Sequence, residues 1–205
     1  MTYIIDDFSG AVYEAWWDSD FSAWPLEEYP PASGNYSAVA GSDDTVELTP
    51  TGVEISGDFS LETTFQMGAT DMPPAANESL HFFLHKVSDD SLLCEVSWWS
   101  GAVRWIWDAL SKDTQADVWA AYKEIRVKMV RVGTTITAYW WNGASWEAQA
   151  NPLTYGDPIY IMVNGATYNG FKEFNLEAEG GFPYSAGTSK AQLVGQLMHQ
   201  LSGQL

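Results

Sequence analysis

Residues 123–146 read KEIRVKMVRVGTTITAYWWNGASW, two runs of alternating character joined through a glycine. With Gly133–Thr134 as a hairpin turn, Val127 faces Trp140 and Met129 faces Ala138, which makes one apolar layer. The opposite layer pairs Lys128 with Tyr139 and Arg126 with Trp141, a neighbour pair suited to cation–π stacking. A period of two over both arms predicts a half-buried antiparallel sheet. The register rests on the turn, because a slip or bulge would exchange the faces.

The same reasoning applies to SWWSGAVRWIWD at 97–108, four tryptophans in twelve residues. Adjacent strand residues point to opposite faces, so a Trp-Trp doublet cannot be wholly buried in a two-layer sheet protein. Taking Ser100–Gly101 as the turn pairs 98 with 103, 96 with 105 and 94 with 107. One face collects Leu92, Cys94, Val96, Trp98, Val103, Trp105 and Trp107 and is predicted to be core. The other collects Glu95, Ser97, Trp99, Arg104 and Asp108, with Leu93 and Ile106. Three of the four rings are therefore filling, and Trp99 points outward. Trp99, Arg126, Tyr139 and Trp141 are the candidate surface for a glycan or a protein partner, since Trp, Tyr and Arg are enriched at interfaces.

Outward from these hairpins, DFSLETTFQM at 58–67 alternates Phe59, Leu61, Thr63, Phe65 and Met67 against polar residues. SLHFFLHKV, SLLCEVSWW, PIYIMVNG and FKEFNLEAE read as further strands, and TVELT and GVEIS flank a Pro-Thr-Gly turn at 50–52. Only 109–121, ALSKDTQADVWAA, reads as a short helix. Roughly ten short strands over 40–179 predict an all-β antiparallel sandwich or barrel. Residues 1–39 read as an irregular aromatic arm packing on it. Residues 180–205 read as a linker and a C-terminal amphipathic attachment helix, with Leu193, Val194, Leu197, Met198 and Leu201 as its apolar stripe. That helix is marginal alone and needs a surface to pack on.

The formal net charge of −18 argues against nucleic acid, which needs a basic face, and against an anionic membrane surface. Residues 1–85 hold no Lys or Arg, whereas Lys123, Arg126, Lys128 and Arg131 lie close together and read as outward charges of one strand. Cys94 is the single cysteine, which leaves no internal disulfide and suggests a small core residue. The start MTYIIDDFSG lacks the basic and apolar regions of a secretory signal, so a virion or cytoplasmic setting is expected.

GDFSLETTFQM, KEIRVKMVRVGTTITAYWWNGASW and IYIMVNGATYNGFKEFNLEA, together with the opening DDFSG, resemble the concanavalin A-like lectin/glucanase sandwich of the laminin G-like kind. The resemblance covers most of the chain but not its C-terminal segment, and implies a jelly-roll-like β-sandwich over 40–179, an architecture shared by lectins, glycosidases, adhesion modules and virion proteins. The glucanase branch carries E-x-D-x-x-E on one strand, which is absent here, and Glu95 stands alone. His81 and His85 would lie ~13 Å apart on a strand, too far to share a metal. No cofactor is expected from the residues; the resemblance adds calcium as an option at Asp6 and Asp7. The expectation is a non-catalytic structural or adhesion module of a larger assembly, a bacteriophage decoration or tail-associated protein for instance, with protein subunits as partners and a homo-oligomer. The alternative is a carbohydrate-binding module using its exposed aromatics.

Overall fold

The structure is a computed structural model that describes residues 2–6, 26–28, 36–39, 46–48, 54–67, 79–99, 101–116, 120, 123–165 and 170–179. The strands up to residue 66 are β1 (Thr2–Asp6), β2 (Leu26–Glu28), β3 (Tyr36–Val39), β4 (Val46–Leu48), β5 (Glu54–Ile55) and β6 (Phe59–Gln66). The middle of the chain adds β7 (Ser79–Lys86), β8 (Leu92–Trp99), β9 (Ala102–Trp107), β10 (Leu110–Ala116) and β11 (Glu124–Val132). The remainder are β12 (Thr135–Trp141), β13 (Trp146–Ala148), β14 (Leu153–Thr154), β15 (Ile159–Gly165) and β16 (Gly170–Ala178). All pairings are antiparallel, and no helix occurs among the described residues.

One sheet runs β13-β12-β11-β6-β16-β3-β2, with β1 also on β16 and β14 on β12. The other runs β10-β9-β8-β7-β15-β4, with β5 also on β15. β4 and β5 pair with successive stretches of β15, each antiparallel to it. The inward side chains fill the space between the sheets: Phe65, Val127, Met129 and Leu176 from the first, Phe82, Val96, Trp98 and Trp105 from the second. Phe82 and Phe174 meet edge to face at 6.3 Å, joining β7 to β16 across that layer. Trp105 Nε1 donates to Asn151 O at 2.7 Å, which satisfies the one polar atom of a fully buried ring.

Both hairpin registers expected from the sequence are found. Val127 pairs with Trp140, Lys128 with Tyr139 and Met129 with Ala138. Cys94 pairs with Trp107, Val96 with Trp105 and Trp98 with Val103. Trp98 and Trp105 are fully buried, and Trp107 packs half-buried against the core.

Four expectations are corrected. Residues 109–121 do not begin a helix: Asp108 and Ala109 both adopt positive φ, 52° and 55°, and turn the chain back so that Leu110 pairs with Trp107 and β10 forms. Leu92 is not core but 46% exposed. The register between β7 and β8 shifts between Leu84 and His85, a bulge that brings Leu93 inside. Arg131 is not an outward charge; it is 1% exposed, on the inward side of β11 shared with Val127 and Met129. The arm 1–39 is not wholly irregular, because β1 and β3 pair with β16 and β2 pairs with β3. The C-terminal helix with Leu193, Val194, Leu197, Met198 and Leu201 lies outside the described residues, as does Asp7.

Candidate functional site on the outer sheet faces

Strand alternation leaves each sheet an outer face, and the two differ in chemistry. On the first sheet β11 and β12 bring three of the expected site residues together. The Arg126 guanidinium sits 5.2 Å over the Trp141 ring, and equally 5.2 Å over Trp146. Lys128 lies 4.3 Å over Trp146 and 5.1 Å over Tyr139. Trp141 and Trp146 meet edge to face at 5.5 Å. Arg126 Nε also donates to Glu62 Oε1 at 3.2 Å, a pair that leaves the arginine side chain 41% exposed.

Trp146 and Lys128 therefore belong with Arg126, Tyr139 and Trp141. The signal for Trp146 is the NGASW turn, which returns the chain so that Trp146 pairs with Trp141. Each of these three rings carries a cation of the same chain. A sugar that stacked on those cation-bearing faces would have to displace a favourable contact of about 0.5–1 kcal/mol per pair. The fourth expected residue, Trp99, pairs with Ser79 at the end of β8, on the other sheet; its side chain lies outside the described residues.

The outer face of the second sheet is built differently. One cross-strand row runs His81, Ser97, Arg104 and Thr114 over β7, β8, β9 and β10, with Asn164 of β15 at the next register position. The adjacent row is Met162, Phe83, Glu95, Ile106 and Ser111. Along β7 the rings form a ladder: His81 stacks on Phe83 at 5.1 Å, Phe83 meets His85 edge to face at 6.1 Å, and His85 stacks on Tyr160 at 5.2 Å. Tyr160 donates its hydroxyl hydrogen to Asp90, whose backbone carbonyl lies 3.1 Å from His85 Nδ1.

Among the described residues of this face, Ser97 Oγ and His81 Nδ1 are buried without a hydrogen-bond partner. Glu95 Oε1 lies 3.4 Å from His81 Nδ1, within ion-pair reach but not in hydrogen-bonding geometry. An unpartnered buried polar atom costs about 1–3 kcal/mol. Glu95 is also largely buried, at 8% exposure. The hairpin register read from the sequence already put Glu95, Ser97 and Arg104 on one face. What it missed was His81, weighed only as a metal ligand because β7 was considered alone.

Ser97 Oγ makes no hydrogen bond to a base, so the pairing that activates a serine nucleophile is not formed. No group of three His, Cys, Asp or Glu able to hold a metal ion exists among the described residues. Asp6 ends β1 opposite Phe174, and its side chain is outside the described residues. No described helix is long and apolar enough to cross a membrane.

No family model matches the sequence, and no curated protein matches it. Solved structures do. Lectin I-B4 from Griffonia simplicifolia, in a metal-free form, superposes with a TM-score of 0.60 at 9% identity, over 88% of this chain and 100% of that one. An alginate lyase from Corynebacterium sp. gives 0.52 at 11% identity, over 75% of this chain and 76% of that one. The carbohydrate-binding module CBM66 from Bacillus subtilis gives 0.50 at 10% identity, over 68% and 86%. The fold is the concanavalin A-like lectin/glucanase sandwich.

Proposed function

We propose that this concanavalin A-like sandwich is a non-catalytic carbohydrate-binding module, with its glycan site on the outer face of the β10-β9-β8-β7-β15 sheet. One observation carries the reading: Ser97 Oγ and His81 Nδ1 are buried without a hydrogen bond in a row continued by Arg104 and flanked by the His81–Phe83–His85–Tyr160 ladder. Rings beside a few convergent polar groups suit a ligand that is apolar on its ring face and hydroxylated at its edge. The lectin and the carbohydrate-binding module among the structural neighbours support the class, and the alginate lyase keeps catalysis in view. Against catalysis stands Glu95, which has no second carboxylate in its row to divide acid and base roles.

The test is a glycan array followed by affinity electrophoresis in soluble polysaccharides, for the wild type, Arg104→Ala and Trp141→Ala. Arg104→Ala is expected to weaken binding about tenfold or more, and Trp141→Ala to leave it unchanged. A wild type that binds no glycan, or a loss confined to Trp141→Ala, sinks the assignment to this face.

A second reading, the assembly module expected from the sequence, is favoured by the cluster of Arg126, Lys128, Tyr139, Trp141 and Trp146. Its composition is that of interface hot spots. The narrower idea of a virion decoration or tail-associated protein draws support from sequence features alone: the acidity, the lack of disulfides and the apolar C-terminal stripe. Under this reading Trp141→Ala abolishes self-association in light scattering; a wild type that is monomeric at all concentrations removes the homo-oligomer.

A further inference from the structure

The turn that carries the chain from β12 to β13 is Asn142–Gly143–Ala144–Ser145, and all four residues are exposed. Its organiser is the Asn142 side chain. Oδ1 accepts from the backbone N–H groups of Ala144 at 2.9 Å and Ser145 at 2.8 Å. Nδ2 donates to Glu147 Oε1 at 2.5 Å, and Glu147 Oε2 accepts from Trp140 Nε1 at 3.1 Å. Gly143 has φ +97°, and a Cβ built there would meet nothing within 4 Å.

We infer that Asn142 is a site of spontaneous deamidation, and that its conversion unlocks the aromatic–cation cluster of the first sheet. The Gly143 nitrogen attacks Asn142 Cγ, forming the C–N bond of a five-membered succinimide. The Gly143 amide proton is lost to solvent, Nδ2 takes up a proton from solvent, and the Cγ–Nδ2 bond breaks so that Nδ2 leaves as ammonia. Water then opens either ring carbonyl, giving aspartate or isoaspartate; the sum is Asn plus water to Asp plus ammonia. Three features of the turn favour it. Glycine after the asparagine offers no side chain to block the approach and lets the backbone swing. Exposure supplies the water. The two N–H groups on Oδ1 stabilise the negative charge that develops there during attack, as oxyanion-hole donors do.

The consequence follows from what Asn142 holds. An aspartate at 142 replaces the donor on Glu147 with a second carboxylate, a like-charge contact where there was a hydrogen bond. Isoaspartate also lengthens the backbone between Trp141 and Trp146, whose pairing holds both rings under Arg126. This inference is independent of the glycan reading and concerns the opposite sheet.

Asn164–Gly165 repeats the dipeptide inside β15, where Asn164 pairs with His81 on one side and Glu47 on the other, and so serves as an internal control. The full chain is held in mildly alkaline buffer, and peptide mapping follows both sites with time. Conversion at Asn142 is expected roughly tenfold faster or more than at Asn164, which reacts only on local opening. Tryptophan fluorescence is expected to shift in step with conversion, and Asn142→Gln, which cannot close the five-membered ring readily, should show neither change. An unmodified Asn142, or equal rates at the two sites, overturns the assignment. Full conversion with unchanged fluorescence overturns the link to the cluster.

Discussion

A guanidinium buried between two sheets has to place its donors on acceptors fixed by the fold, and Arg131 does so. Its Nε donates to Gly57 O at 2.8 Å, and its terminal nitrogens to Ile55 O and Asp157 O, each at 3.1 Å. The ring of Phe59 lies 5.3 Å from the guanidinium. Desolvation lowers its pKa, and the nearby Asp58 carboxylate acts in the other direction. Arg131→Ala is expected to lower the unfolding free energy by about 3 kcal/mol, because three carbonyls lose their donor. Arg131→Lys should recover only part of that, since an ammonium cannot span the same acceptors. Urea unfolding of both variants checks this, and an alanine variant as stable as wild type would show the clamp to be idle. The sequence carried the placement: 131 shares parity with Val127 and Met129, and Arg126 and Lys128 do not. The rule that charge faces water overrode the alternation. At Cys94 the alternation and the chemistry agree. Burial pushes its thiol pKa well above the ordinary value, with Glu95 adding to the shift. Stability from this group is whole below the unfolded pKa of about 8.5. Above it the unfolded chain loses the proton while the folded chain keeps it, so stability falls as pH rises. Denaturant midpoints from pH about 7 to 10 should decline more steeply for wild type than for Cys94→Ala; parallel declines would remove the linkage.

At the scale of elements, the turn at Asp108–Ala109 decided whether 109–121 became helix or strand. Two successive left-handed residues make a type I′ hairpin, whose usual signature is Asn-Gly or Asp-Gly. Asp-Ala lacks the glycine, so the segment read as a helix start. Behind it, β10 lies at the edge of its sheet, with Asp113 Oδ2 accepting from Ala150 N at 2.7 Å and Asn151 Nδ2 donating to Lys112 O at 2.9 Å. Tertiary contacts of this kind outweigh a weak helical propensity. Alanine in the left-handed region costs about 1 kcal/mol that glycine does not. Ala109→Gly is therefore expected to stabilise the protein by about 0.5–1 kcal/mol in thermal or chemical unfolding, against the usual penalty of added chain freedom. A variant that is destabilised would mean that the turn is not type I′ in solution. The β8–β9 and β11–β12 hairpins were legible because Ser-Gly and Gly-Thr announce their turns. The bulge beside Leu93 was not, since nothing in SLLCEV marks which leucine slips outward.

For the whole molecule, alternation left a sandwich and a barrel open and the family resemblance chose the sandwich, while the core that alternation implied is largely the core observed. The order of strands was not readable, because β6 pairs with β11 and β16, partners far along the chain, and no local signal encodes that choice. The second-sheet face escaped for the same reason, as His81 meets Ser97 only once β7 is laid beside β8. Global charge acts at this scale too. At −18 the chain repels itself, which works against the compact state and against contact between copies. Two ion pairs work the other way: Arg126 with Glu62 and Lys172 with Glu124, each at 2.5 Å. They are partly exposed, and pairs of that sort contribute at most about 1 kcal/mol each. Salt screens both effects over a Debye length of about 10 Å at 0.1 M, and the repulsion involves many more charges. The melting temperature is thus expected to rise between low and physiological salt, with self-association, if present, strengthening in parallel. A melting temperature that falls instead would mean that the few close pairs outweigh the summed repulsion, and double-mutant cycles on Arg126 and Glu62 would then return more than about 1 kcal/mol.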